Sequence, residues 1–334
     1  MALKILHISD LHIAGDLMTP TRGFPKKHNP ALLQAVSSYH HATMPDYVFV
    51  TGDVSTDGEL TSLQSANTFL TSQTSGGAVG LNLGKGKYFV TPGNHDRYAS
   101  RWGPIATQCK NFEKVFGGLY QFQGRPRSVG WMIDPGGLRV RVLTIDSMGD
   151  AGWTFAKGRV HGDDIDWLRE IYEEDLRNDD VGDLRALLLH HHVAIPDNRE
   201  FKYLTELKNR EDLLEGMLRG DIDAVFFGHE HYKYAGLTSY EARITDRRRR
   251  RAMMKNGYRL EKQLVVGMCG TTTEESGGGA TAQNLAWLVT IDKKGADHFQ
   301  FQFDLLEVRS NPQPAVHVVA GGPAPIQFIR QSCR

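Results

Sequence analysis

Tyr47-Val-Phe-Val-Thr-Gly-Asp53 reads as a strand that ends in a carboxylate. Its apolar and β-branched residues run without polar alternation, the pattern of a strand buried on both faces. Gly52 lets the backbone turn sharply, so that Asp53 faces a site at the strand end. The plan recurs along the chain. Residues 4–8 lead to Asp10 and His12, residues 88–91 to Gly93, Asn94, His95 and Asp96, and residues 140–145 to Asp146. Residues 186–189 lead to His190, His191 and His192, residues 224–227 to Gly228, His229, Glu230 and His231, and residues 264–266 form a further run. Helical spacing fills the intervals at residues 31–41, after Pro30, and at 59–73, 163–176 and 210–218. Strands alternating with helices predict an α/β layered fold, with the polar clusters on loops along one edge of a sheet.

The length of 334 residues allows one large domain, or one domain with an appended part. The boundaries expected are one domain over 1–310, in which 232–310 supply closing strands and an accessory segment, and a tail over 311–334 rich in Pro and Gly. That tail is expected to wrap the surface or lie loose. Gly- or Pro-rich stretches at 76–86, 117–137 and Gly277-Gly278-Gly279 read as loops. Lys+Arg and Asp+Glu both number 39, so overall charge gives no reason to expect a polyanionic partner. Three scattered cysteines, Cys109, Cys269 and Cys333, argue against a disulfide framework and for a reducing cytoplasm. The first residues run into a strand without a leader pattern, and no apolar stretch is long enough to span a membrane.

The clusters carry metal-ligand chemistry. Asp10 and His12 lie two apart; on an extended strand end both point to one side and reach one cation. The two oxygens of Asp53 can bridge two cations. The amide oxygen of Asn94 ligates without adding charge, and His229 and His231 repeat the two-residue spacing. Nitrogen and oxygen donors without thiolate suit Mn, Fe, Zn, Co or Ni. Singly, each cluster reads as a turn, a cap or a solvated strand end. In this order, each after a strand-like run, they read as a two-metal hydrolase site.

Asp-x-His, Gly-Asp, Gly-Asn-His-Asp, a histidine block and Gly-His-x-His together resemble the calcineurin-like metallophosphoesterase superfamily, and all five blocks stand in order between residues 10 and 231. The resemblance implies a four-layer αββα sandwich with a dinuclear site at the strand C-terminal ends. It implies one metal on Asp10, His12, Asp53 and His231. The second falls on Asp53, Asn94, His229 and one histidine of 190–192. His190 is the assignment there, since it is the first polar position after the strand; His191 is the runner-up, because the family's His-His-Pro-Pro lacks its prolines here. The resemblance makes His95 the group that protonates the leaving oxygen or steadies the transition state. Asp96 is expected either to hold the His95 ring or to cap its own loop. Asp146 is expected either to orient a site histidine or to serve its own loop.

The flanks His7-Ile-Ser-Asp-Leu-His12 and Thr51-Gly-Asp-Val-Ser-Thr-Asp-Gly58 are similar to those of the class III cyclic-nucleotide phosphodiesterase-like branch. So are Gly158-Arg-Val160 and Asp166-Trp-Leu168. The expected activity is metal-dependent hydrolysis of a small phosphate ester such as a cyclic nucleotide. The alternatives are a phosphomonoesterase, a nuclease, or a non-catalytic scaffold that kept the fold. Five arginines from Arg247 to Arg251 read as a solvated loop, with a phosphate or nucleic-acid contact near the site's rim as the less favoured reading. Homo-oligomerisation through the region after residue 232 is left open.

Overall fold

The computed structural model describes residues 2–15, 28–75, 78–97, 110–119, 125–149, 157–193, 207–229, 233–241, 247–256, 261–272, 284–310, 313–320 and 322–331. The N-terminal half holds β1 (Leu3–Ile8), α1 (Pro30–Thr43), β2 (Tyr47–Thr51), α2 (Leu60–Thr71), β3 (Thr74–Ser75), β4 (Ala78–Val79), β5 (Tyr88–Thr91), α3 (Asn94–Arg97), α4 (Asn111–Phe116), β6 (Ser128–Ile133) and β7 (Arg139–Thr144). There follow α5 (Gly162–Arg177), β8 (Leu184–Leu188), α6 (Arg210–Arg219), β9 (Ala224–Phe227), β10 (Tyr234–Glu241), α7 (Arg247–Lys255), β11 (Glu261–Met268), β12 (Asn284–Lys293), β13 (His298–Arg309), β14 (Ala315–Val318) and β15 (Ile326–Ile329).

Two mixed sheets result. One runs β14-β13-β12-β1-β2-β5, with β15 also on β13; the other runs β10-β11-β9-β8-β7-β6. Strands β1, β2 and β5 are parallel, as are β7, β8, β9 and β11. Each apolar run feeds two layers at once. Along β2, Val48 and Val50 pack under the helices while Tyr47 and Phe49 face the other sheet. Along β9, Val225 and Phe227 face helices while Ala224 and Phe226 face the first sheet. Three apolar clusters therefore fill the three gaps of an αββα sandwich, the layering that the family resemblance implies. Helix α1 starts where Asn29 Oδ1 accepts the Ala31 N–H at 2.9 Å, ahead of Pro30 in the first turn.

Four expectations change. Residues 128–133, placed in a loop, form edge strand β6 on β7, and Gly130 there has Phe89 packed where a Cβ would sit. Residues 111–116, also unassigned, form α4. Residues 315–318 and 326–329, in the tail expected to wrap the surface or lie loose, instead pair with β13 in the first sheet. The arginine run is helical, within α7. Its Arg248 and Arg251 are exposed, and Met253 is buried against the outer core. The hairpin carrying it leaves the β9 C-terminal end at Tyr234 and turns beyond Glu241, paired with Glu261 at the far end. The connection that holds the arginines thus opens at the strand end away from His229 rather than at the site's rim. Gly277-Gly278-Gly279 lies outside the described residues.

Among the described residues, no helix is long and apolar enough to cross a membrane.

Candidate metal centre

The loops after β1, β2, β5, β8 and β9 meet at one end of the sandwich, where parallel strands end. Asp10 and His12 are fully buried, Asp53 and Asn94 nearly so, and His190 fully. His95 and His229 are part-buried. His231 lies outside the described residues.

Asp10 and His12 meet by a different route from the one their spacing suggests. Neither is extended: φ is 52° at Asp10 and 47° at His12, in the left-handed region. Asp53 (47°) and His229 (75°) share it. Four non-glycine residues in this sparsely populated conformation, at a cost of about 1–3 kcal/mol each, mark backbone forced by its surroundings. The forcing contacts are local. Asp10 N–H donates to the Gly52 carbonyl (3.0 Å) and His12 N–H to that of Asp53 (2.9 Å), so the first two loops run side by side. Gly52 (φ 93°) must be glycine, since a Cβ there would lie 2.3 Å from His190 Nδ1. Ser9 Oγ donates to Asp10 Oδ2 at 2.6 Å, and the His229 N–H reaches the same oxygen at 3.2 Å. Thr271 Oγ1 donates to the Asp10 carbonyl at 3.1 Å.

The histidine block resolves by hydrogen bonding. His190 Nδ1 lies 2.8 Å from the Thr51 carbonyl, which can only accept, so Nδ1 carries a proton. His190 Nε2 then faces Asn94 Oδ1 at 3.2 Å, Asp53 Oδ2 at 3.4 Å and His229 Nδ1 at 3.1 Å. Four lone-pair atoms converge with at most one proton to share. Ligand atoms about 2.0–2.1 Å from one tetrahedral cation lie ~3.3–3.4 Å apart, close to these separations. The donor set therefore fits a cation. Ligand atoms of His12, Asp53 and His95 lie within 4.8 Å of one another, as do those of Asp10, Asp53 and His190; Asp53 is common to both groups.

The electrostatics follow. Burial works to raise the Asp53 carboxyl, but His190, His95 and His12 outweigh it and hold it well below the usual range. Burial lowers His190, yet Asp53 prevails and pushes it up to about 9. His229 drops to about 3 through burial and His190. A shared proton is thus the positive charge this carboxylate attracts when no cation is bound.

Asp96 and Asp146 both bond to loop groups, the second of the two readings open to each. Asp96 does not hold the His95 ring: Oδ1 accepts Ser55 N–H and Oγ–H (both 2.7 Å), and Oδ2 accepts the N–H of Gly93 (2.9 Å) and Val54 (3.1 Å). It ties the β2 and β5 loops together. Burial and Asp53 push its carboxyl up to about 6. The His95 ring is held instead by the Thr56 carbonyl, 2.9 Å from Nδ1. Asp146 hydrogen-bonds no site histidine among the described residues; its Oδ1 accepts the Met148 N–H at 2.7 Å, within its own loop. Its Oδ2 pairs with Arg97 Nη2 at 2.7 Å, and Arg97 Nη1 donates to Glu113 at 2.6 Å, fixing short helix α3 behind Asn94 and His95. The next residue, Ser147, contacts His191. Ser147 and Thr271 carry no signature in sequence, whereas Ser9, Thr51 and Thr56 sit inside the quoted flanks of the Asp-x-His and Gly-Asp blocks.

A family model described as calcineurin-like phosphoesterase matches residues 3–233. The chain belongs to this family. Its described residues include candidate ligand groups for the divalent metal centre typical of calcineurin-like phosphoesterases. No curated protein sequence matches it. Among solved structures it is similar to a Staphylococcus aureus protein described as a 5′-nucleotidase (13% identity, TM-score 0.47, covering 99% of this chain and 54% of that one). It is also similar to the calcineurin-like phosphoesterase YfkN of Bacillus subtilis (13%, TM-score 0.42, 97% and 92%). A third is the phosphoesterase YfcE of E. coli (12%, TM-score 0.36, 98% and 100%). The chain spans about half the length of the first of these.

Proposed function

We propose that this calcineurin-like phosphoesterase is a phosphodiesterase acting on a small ester, a cyclic nucleotide being the leading candidate. Its two metals are assigned to Asp10, His12, Asp53 and His231, and to Asp53, Asn94, His190 and His229. The observation that carries the second set is the convergence of its lone-pair atoms at 3.1–3.4 Å around His190 Nε2. The diester preference is supported by the flanks of the Asp-x-His and Gly-Asp blocks, and the small substrate by the zero net charge. The nitrogen and oxygen donors support Mn, Fe, Zn, Co or Ni. A cytoplasmic setting is supported by the few scattered cysteines, of which Cys269 is a buried free thiol.

Two cations bound there supply a water acidic enough to attack near neutral pH and neutralise charge on the phosphoryl group. The chain supplies the rest. Asp53, its Oδ1 held by the His95 N–H at 2.8 Å, presents fixed negative charge to both positions. Thr51 turns the His190 lone pair inward. His95, steadied by Thr56, offers Nε2 for proton transfer to the leaving oxygen.

The deciding comparison is hydrolysis of bis-p-nitrophenyl phosphate against p-nitrophenyl phosphate by chelator-stripped protein, with and without Mn²⁺. Metal-restored preference for the diester is expected. Preference for the monoester makes the chain a phosphomonoesterase, and no turnover of either contradicts the proposal.

Metal binding should also release a proton. With His190 raised to about 9, its Nε2 is protonated at pH 7.5, and a cation must displace that proton. Calorimetry in buffers of different ionisation enthalpy should show release of about one proton, and affinity should fall about tenfold per pH unit below pH 9. In metal-free protein the sign is opposite. A folded pKa above the unfolded value of 6.5 gives His190 a stabilising contribution present below about pH 6.5 and lost as pH rises through about 9.

A further inference from the structure

Three consecutive histidines follow β8, all buried, and the proposed reaction uses only the first. The second, His191, is held more tightly than core packing requires. Its backbone N–H donates to Ser147 Oγ at 3.1 Å, and the same oxygen lies 2.8 Å from His191 Nδ1. The Ser147 hydroxyl proton meets no other acceptor among the described residues, so the arrangement that satisfies it has Ser147 Oγ–H donating to Nδ1. The single proton of the neutral ring then sits on Nε2.

The ring cannot swing away. On its Cγ–Nδ1 side the backbone of Gly158 comes so close that a Cβ would stand 2.6 Å from His191 Cγ. A neighbouring ring, that of His229, has its centroid 4.3 Å away at an interplanar angle of 44°. The His190 ring meets it at 5.2 Å, edge to face. Nε2 occupies the edge turned away from Ser147 and Gly158, and it is a buried nitrogen with no hydrogen-bond partner among the described residues. Buried donors left without acceptors are rare because each forfeits its hydration, and those that persist mark places where something else supplies the acceptor. Here the donor is pinned against two candidate ligands of a centre whose substrate is rich in acceptor oxygens.

We propose that His191 Nε2–H donates a hydrogen bond to a non-bridging phosphoryl oxygen of the substrate, making His191 a second substrate-contacting histidine beside His95. This rests on the dinuclear reading above. Ser147 is the positioning residue that directs the His191 proton outward. Charge-assisted bonds of this kind are the strong ones. The step is one of binding and transition-state stabilisation; no proton is transferred.

The test separates the contact from the centre that it rests on. Metal content per chain is measured first, in wild-type, His191→Gln and His191→Phe proteins loaded with Mn²⁺. Inorganic phosphate is then titrated into each by calorimetry. Expected are two metals in all three, and phosphate binding ~10–100-fold weaker in His191→Phe. His191→Gln, which can place an amide N–H near the Nε2 position, should recover much of that loss. Equal phosphate affinity in all three proteins overturns the proposal. So does loss of a metal in both variants, which would make His191 a ligand. Wild-type protein that takes up no metal overturns the dinuclear reading itself, a result seen before any phosphate is added.

Discussion

Asp53→Ala protein is expected to bind neither metal tightly and to lose activity by a factor of roughly 10³ or more, the largest effect of any single substitution here. Asp53 is the one residue common to both candidate ligand groups. It also lies 3.4 Å from His190 Nε2 and accepts the His95 N–H at 2.8 Å, so its removal strips charge from both metal positions and unties the β5 loop. Asp53→Asn separates these effects. The amide still accepts from His95 but bridges two cations poorly, so a folded, metal-poor, inactive Asn variant assigns the loss to charge. Elemental analysis after gel filtration decides the matter: two metals retained in Asp53→Ala would refute the bridging role.

His95→Ala should behave in the opposite way, keeping two metals and losing turnover by ~10²–10⁴-fold with KM little changed. The hydrogen bond from Nδ1 to the Thr56 carbonyl has a sharper consequence. A carbonyl cannot donate, so the neutral ring carries its only proton on Nδ1, directed away from the reaction. Acting as the acid therefore requires a second proton, on Nε2. His95 also offers a ring nitrogen within 4.8 Å of His12 and Asp53 ligand atoms, close enough to be a ligand. Loss of one metal in His95→Ala would establish that role and remove the acid.

The part of this molecule written plainly in its sequence is the part built from strands buried on both faces. Tyr47–Thr51 and Ala224–Phe227 stand where their apolar runs put them, because a run without alternation can satisfy only a strand with two covered faces. Edge elements are harder to read. Ser128–Ile133 is short, holds a glycine and is half exposed, so it resembles the loops beside it until Phe89 is seen packed on Gly130. Lys262 is illegible for another reason. It lies fully buried in β11, 2.7 Å from both Asp221 and Asp223, with Arg330 reaching the same two carboxylates from the end of the chain. Pairs so distant in sequence leave no periodic trace. At the candidate centre, ligand types and order were readable, whereas the means of positioning them was not. The extended-strand argument for Asp10 and His12 fails because both adopt left-handed backbone, and the bracing falls to Ser9, Thr51, Thr56 and Ser147, whose hydroxyls and carbonyls are common everywhere. That Ser147 rather than Asp146 reaches a histidine of the 190–192 run turns on one residue of a turn, a distinction that side-chain chemistry alone does not make.

The candidate ligands come from both sides of the molecule. Asp10, His12, Asp53 and Asn94 follow strands of one sheet, while His190 and His229 follow strands of the other. A cation seated among Asp53, Asn94, His190 and His229 is therefore a rivet through the seam of the sandwich as well as a reagent. Whatever free energy it gains on binding is cohesion between the two halves, about 2.7 kcal/mol when the free metal stands at a hundred times its Kd. Catalytic readiness and the integrity of the fold are then drawn from one reservoir, and a cell that runs short of the metal loses both together.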